Sequence, residues 1–375
     1  MNQHLKILFS IFMVAALIFG FLNIYFPLEN YSFERLHIFL FNLCTGGTII
    51  LHFTRGDEKM SVLVQTFFIC SLIYAVSAFL KQYEVTLLVS LPLFILVERV
   101  RVENFTLFPF DFFRKEVPVS EKFHQASLLC LSIGIVLAAL VILNNEYFKW
   151  VQMEKIQLNT FFLGFSFPLS LISLSIVFVM LNKAEGSMNR MIKEICFWTI
   201  NLGVIIFFLF ILFEKFIPQI FVTSALTLAV VTVFVLYRRY GEIMQQKQFL
   251  SSGIGFLIAT AITGIVYIIF QMSDGYDPSK TKWLLHLHVF ASLYGWNLCG
   301  LAVICRYRDF PIRLHSTTVI VIHWLTAIIL APLGVFYGFF AVLAVLGYTF
   351  ITFTLFFSSH SRRVAPRAAG QGLRG

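Results

Sequence analysis

"WLLHLHVFASLYGWNLCGLAVIC", residues 283 to 305, contains no Lys, Arg, Asp or Glu. At 1.5 Å per residue, a helix of this length spans ~35 Å, enough to cross the ~30 Å hydrocarbon core of a bilayer. Near its start stand two imidazoles, His286 and His288. Residues two apart on a helix point roughly 200° apart, so these two rings must serve different neighbours.

The rest of the chain has the same character. Hydrophobic residues make up 59% of it and charged residues 13%, against about a quarter charged in soluble domains. Cutting at charged or Pro/Gly/Asn-rich breaks gives twelve apolar segments, near 7–26, 34–54, 61–80, 85–101, 124–143, 159–181, 195–213, 217–237, 251–270, 283–305, 315–336 and 339–358. The expected fold is an all-α polytopic membrane protein, one twelve-helix transmembrane bundle over residues 1–360. The polar stretch 361–375, "RRVAPRAAGQGLRG" from its second residue, reads as a disordered cytoplasmic tail or an appended expression remnant.

The net charge of +9 points to topology rather than to nucleic acid, because the basic residues sit in the connections. The amino terminus, the even-numbered connections and the tail hold 21 of the 28 Lys and Arg residues. Positive residues are retained inside, so the expected location is the cell (inner) membrane with both termini cytoplasmic. The six cysteines lie within or at the ends of apolar runs with no C-x-x-C pair, and read as small buried residues. Glu84, Glu98 and Glu194 fall near segment ends, where solvated charge is ordinary.

On that topology the second and tenth segments both run inward. His37, in "FERLHIFLFNLCTGGTIILHFTRG", then shares an outer layer with His286 and His288, while His52 lies fifteen residues further along, ~22 Å deeper. His323 lies two turns in from the opposite face. Ionisable side chains inside a membrane are functional candidates, and neutral imidazole is a common ligand of iron, copper and zinc. Either the three are packed imidazoles bonded to main-chain carbonyls or to one another, or they hold iron, for which the simplest solution is one porphyrin on each side of the tenth segment. His37 and His288 clamp one iron in a six-coordinate heme, and His286 holds a second, five-coordinate heme with a free ligand position. His52 and His323 are weaker candidates, and a hydrogen-bonded structural imidazole is the plainer account of His323. Gly46, Gly47 and Gly295 either admit a porphyrin edge or serve ordinary helix packing. Trp296 and Asn297 either hydrogen-bond near a heme edge or play no special part.

Twelve segments, "RLHIFLFNLCTGG" in the second, "HLHVFASLYGWN" in the tenth and "VIHWLTAIILAPLG" in the eleventh resemble subunit I of the heme-copper oxidases and nitric oxide reductases, closest to the C-type (cbb-type) branch. The resemblance implies His37 and His288 as axial ligands of a low-spin heme, His286 as proximal ligand of a high-spin heme, and b-type heme as the cofactor, one or two per chain. It also implies a quinol or cytochrome electron donor, partner subunits and a small-gas ligand such as O₂ or NO. The family's copper-site histidines have no counterpart, because no histidine occurs between His124 and His286. Copper and conventional four-electron reduction of O₂ are therefore not expected. Three classes stay open: electron transfer or gas chemistry at heme, a heme-binding sensor, handling or assembly protein without turnover, and a cofactor-free transporter.

Overall fold

The computed structural model describes residues 3–57, 59–153, 155–181, 187–241, 246–273, 276–307 and 317–358. The tail 361–375 and His315 lie outside the described residues. No strand occurs among them. The long helices, numbered in chain order, are α1 (Gln3–Tyr25), α2 (Phe33–Arg55), α3 (Val62–Phe79), α4 (Tyr83–Asn104), α5 (Val119–Phe148), α6 (156–179), α7 (Ser187–Leu212), α8 (Phe216–Tyr240), α9 (Gln246–Met272), α10 (278–305), α11 (Thr317–Gly334) and α12 (Gly338–Phe357). Eleven of these contain stretches long and apolar enough to cross a membrane, making this a multi-pass membrane protein. The exception is α4, which carries Glu98, Arg99, Arg101 and Glu103 near its end.

Position in the bundle follows from side-chain polarity. In the most apolar stretch of α2, 83% of residues are buried, and in that of α10, 78%, against 17% for α7. The two central helices hold the polar side chains that lipid would penalise, including Asn42, Thr45, Thr48 and Asn297, all buried. Helix α7 instead exposes Leu202, Ile205, Ile206 and Leu209, a face suited to acyl chains.

Side-chain bonds show which connections share an end. At one end, Arg35 donates to the Tyr83 hydroxyl (3.0 Å), Lys155 pairs with Glu214 (2.9 Å) and the Tyr147 hydroxyl bonds Glu84. At the other, Arg55 pairs with Glu103 (2.8 Å) and Lys122 with Glu194 (2.7 Å). Arg35 and Arg55 bound α2, while Tyr83 and Glu103 bound α4, so α4 runs beside α2 through the same thickness.

Two of the helix-end carboxylates are not solvated as expected. Lys122 is almost fully buried, and its ammonium donates to both Glu194 oxygens. Buried Arg101 forks onto Glu98, which also accepts from Ser132. A cation held in the protein needs its counter-ion beside it.

Both central helices change winding part-way. Residues Leu40–Gly47 of α2, Ala291–Asn297 of α10 and Leu325–Leu330 of α11 are π-helical. Each segment begins two or three residues after a histidine: His37, His288 or His323. Wider winding strands a carbonyl from the regular ladder, and another donor must take it. In α2 the Thr45 hydroxyl does so, donating to Leu40 O (2.8 Å).

Candidate functional site: the histidines of the central helices

Helices α2 and α10 lie side by side and parallel. Phe41 packs on Tyr294, and twelve residues later Phe53 packs on Tyr307. The register differs from the expected single layer. His37 stands opposite Tyr294, with His288 six residues nearer the start of α10. Helix α10 begins at Pro278 rather than 283, so more than two turns precede its histidines.

The His37 ring is wedged between α1 and α10. Its Nδ1 lies 2.7 Å from Ala16 O and 3.0 Å from the Tyr294 hydroxyl. A carbonyl can only accept, so Nδ1 carries the proton and Nε2 keeps its lone pair. Gly20 makes room for the ring, since a Cβ there would lie 2.9 Å from Nδ1.

His288 faces α9. Its Nδ1 lies 2.9 Å from Thr260 O and 3.4 Å from the Thr263 hydroxyl, and the same argument leaves Nε2 with a lone pair. Gly264 sits under the ring edge, where a Cβ would come within 3.3 Å. His286 turns the other way. Its ring is 6.4 Å from that of Phe290, which packs on Phe21 of α1 and on Tyr294. His286 Nε2 is buried with no hydrogen-bond partner.

The two α10 imidazoles therefore do serve different neighbours. The structure brings His286, Phe290, Tyr294 and His37 along one face, toward α1. It places His288 on the opposite face, so the contacts of His37 and His288 lie on different sides of α10. The sequence-level pairing of His37 with His288 rested on depth alone, and depth does not fix azimuth.

The remaining candidates sit elsewhere. His323 is buried, with Nε2 2.7 Å from Tyr294 O, Nδ1 4.0 Å from Cys299 Sγ and its ring against Phe256. This is the hydrogen-bonded structural imidazole. It takes a carbonyl of the α10 π segment. His52 lines a cleft of about 220 Å³ at the other end of the bundle, with Asp57, Cys305 and Tyr307. His124 reaches α2 through the Thr54 hydroxyl (2.8 Å).

The glycines beside the histidines serve helix packing. A Cβ on Gly46 would meet Leu169, one on Gly47 would meet Phe67 and one on Gly295 would meet Phe256. Asn297 ties α10 to α6, accepting from Ser170 (2.9 Å) and donating to Ser166 O (3.4 Å). Trp296 is fully buried, and its Nε1 has no partner.

Sequence reasoning missed Tyr294. It touches His37 through its hydroxyl and His323 through its carbonyl, and the only available signal was its place within the H-x-H segment. Among the described residues, no group of three or more His, Cys, Asp or Glu side chains is placed to hold a metal ion. Comparison with models of protein families, with curated proteins and with solved structures finds no match.

Proposed function

We propose that the chain is an oxidase-like membrane hemoprotein in which His37, His286 and His288 are the iron ligands of one or two b-type hemes, serving electron transfer or the binding of a diatomic gas. The supporting observation is the state of three ring nitrogens. His37 and His288 each anchor Nδ1 to a main-chain carbonyl, and His286 keeps a buried, unpartnered Nε2. Metal-ligating histidines show this arrangement, with one nitrogen held by an outer partner and the other presented to the metal. The donor set fits an iron porphyrin, which needs only one or two axial imidazoles rather than a cluster of ligands.

Bound heme would supply a one-electron couple or, with one position open, a site for O₂ or NO. The chain's own part is to hold the ligand tautomers, exclude water and keep the site within a dry bundle. Phe21, Phe290 and Tyr294 line the face between His286 and His37 and would supply its apolar wall. The same reading places the chain in the cell membrane with twelve crossings, α4 included, and both termini cytoplasmic.

The test is an absorption spectrum of protein purified after expression with ample heme, oxidised and then dithionite-reduced, together with heme-to-protein stoichiometry. Sharp α and β bands report a bis-histidine iron, and a shift on adding CO reports an open position. A protein with no Soret band overturns the proposal.

A further inference from the structure

Resting on that reading, we infer that Tyr294 is a positioning residue for His37 and that His323 fixes Tyr294 in place. Three contacts carry the inference. The Tyr294 hydroxyl lies 3.0 Å from His37 Nδ1, and that nitrogen is already committed as a donor to Ala16 O at 2.7 Å. The N–H is thus shared between two acceptors, the carbonyl and the phenol oxygen. Third, His323 Nε2 lies 2.7 Å from Tyr294 O, within the π-helical turn that aims the Tyr294 side chain. A donor placed on that carbonyl holds the wider winding, and with it the hydroxyl's position.

The consequence for His37 follows from hydrogen-bond chemistry. An N–H drawn toward two acceptors leaves more electron density on the ring, making Nε2 a stronger donor to a metal. A stronger axial donor favours ferric over ferrous iron, so the Tyr294 contact lowers the midpoint potential of the iron that His37 holds. Burial strengthens the effect, since Tyr294 is 2% exposed and little water competes for the shared proton.

Tyr294→Phe removes the oxygen and keeps the ring that packs on Phe41, Phe290 and Tyr348. Spectroelectrochemical titration of the heme-loaded variant should show an upward shift of the midpoint potential of the iron that His37 holds, with heme content unchanged. Tyr348→Phe is the control, a buried tyrosine in ring contact with Tyr294, and should leave the potential where it was. His323→Ala should shift the potential in the same direction as Tyr294→Phe, and His323→Gln, which keeps an N–H donor, should return it toward the parent value. An unchanged potential in Tyr294→Phe overturns this inference and leaves the heme reading standing. Absence of heme from the parent protein overturns both.

Discussion

His37, His286 and His288 are each defined by which nitrogen is occupied, and this decides what the loss of each should do. His288→Ala frees Thr260 O on the α9 side, whereas His286→Ala removes a nitrogen that bonds nothing, on the α1 side. Because the two rings face opposite ways, the variants should each lose a different part of the heme spectrum. Identical difference spectra would sink the assignment of two irons. Gly20→Ala gives a second prediction: its methyl would sit 2.9 Å from His37 Nδ1, so the ring must turn out of its wedge. The heme absorption bands should change or weaken in that variant while the far-ultraviolet helix signal is kept. At this scale the sequence reveals which residues are unusual, since an imidazole in an apolar run stands out. It does not reveal their pairing. His37 meets Tyr294 because of how α1, α2 and α10 are rotated about their axes, and rotation is set by packing across the whole interface.

Helix existence was legible because apolar run length reports the membrane crossing directly, and helix ends were not. The apolar runs near 124, 251 and 283 begin five residues after helices α5, α9 and α10 do. Hydropathy marks where lipid begins, whereas main-chain hydrogen bonding continues into the polar interface. The π-helical turns also left no readable mark, because wider winding depends on who takes the stranded carbonyl. Glycine contacts show how closely some helices approach. Gly134 of α5 meets Gly164 of α6 backbone to backbone, and a Cβ at 134 would lie 2.3 Å from the Gly164 Cα. The opposing atom is main chain and cannot swing aside, so Gly134→Ala must part the two helices. We expect a loss of about 1–3 kcal/mol, the usual range for overpacking, read as a lower unfolding midpoint in detergent. Gly338→Ala, with nothing within 4 Å of the added methyl, should change stability by less than about 0.5 kcal/mol.

Across the whole molecule, the basic residues that suggested orientation also hold the bundle together at one end. Arg306 donates to Leu355 O, Phe356 O and Ser358 O at the close of α12. Lys193 donates to Leu181 O just beyond α6, and Lys247 to Gly241 O at the end of α8. Carbonyls at a helix C-terminus lack intrahelical donors and carry the negative end of the dipole, so a cation from a neighbouring helix answers both needs. The charge bias was visible in the sequence, but the partners of Arg306, Lys193 and Lys247 were not, because each lies outside the cation's own helix. Lys122→Met, which strands the part-exposed Glu194, should lower the unfolding midpoint in detergent, by less than the about 3–5 kcal/mol lost when a fully buried pair is broken. The proposed crossing by α4 rests on bonds of the same kind. Its first residues share an end with Arg35 and its last with Arg55, so a helix too charged to qualify by hydropathy runs the same length of the bundle as α2. Its cations are neutralised where they lie, Arg101 by Glu98 and Arg99 by Glu103, so the charge count overstates the cost of insertion. Lys81→Cys, before α4, and Arg114→Cys, after it, should therefore react with a membrane-impermeant maleimide from opposite sides of sealed spheroplasts, Lys81→Cys from outside and Arg114→Cys only after lysis. Labelling of both from the same side would leave α4 lying within one interface and reverse the direction of every helix that follows.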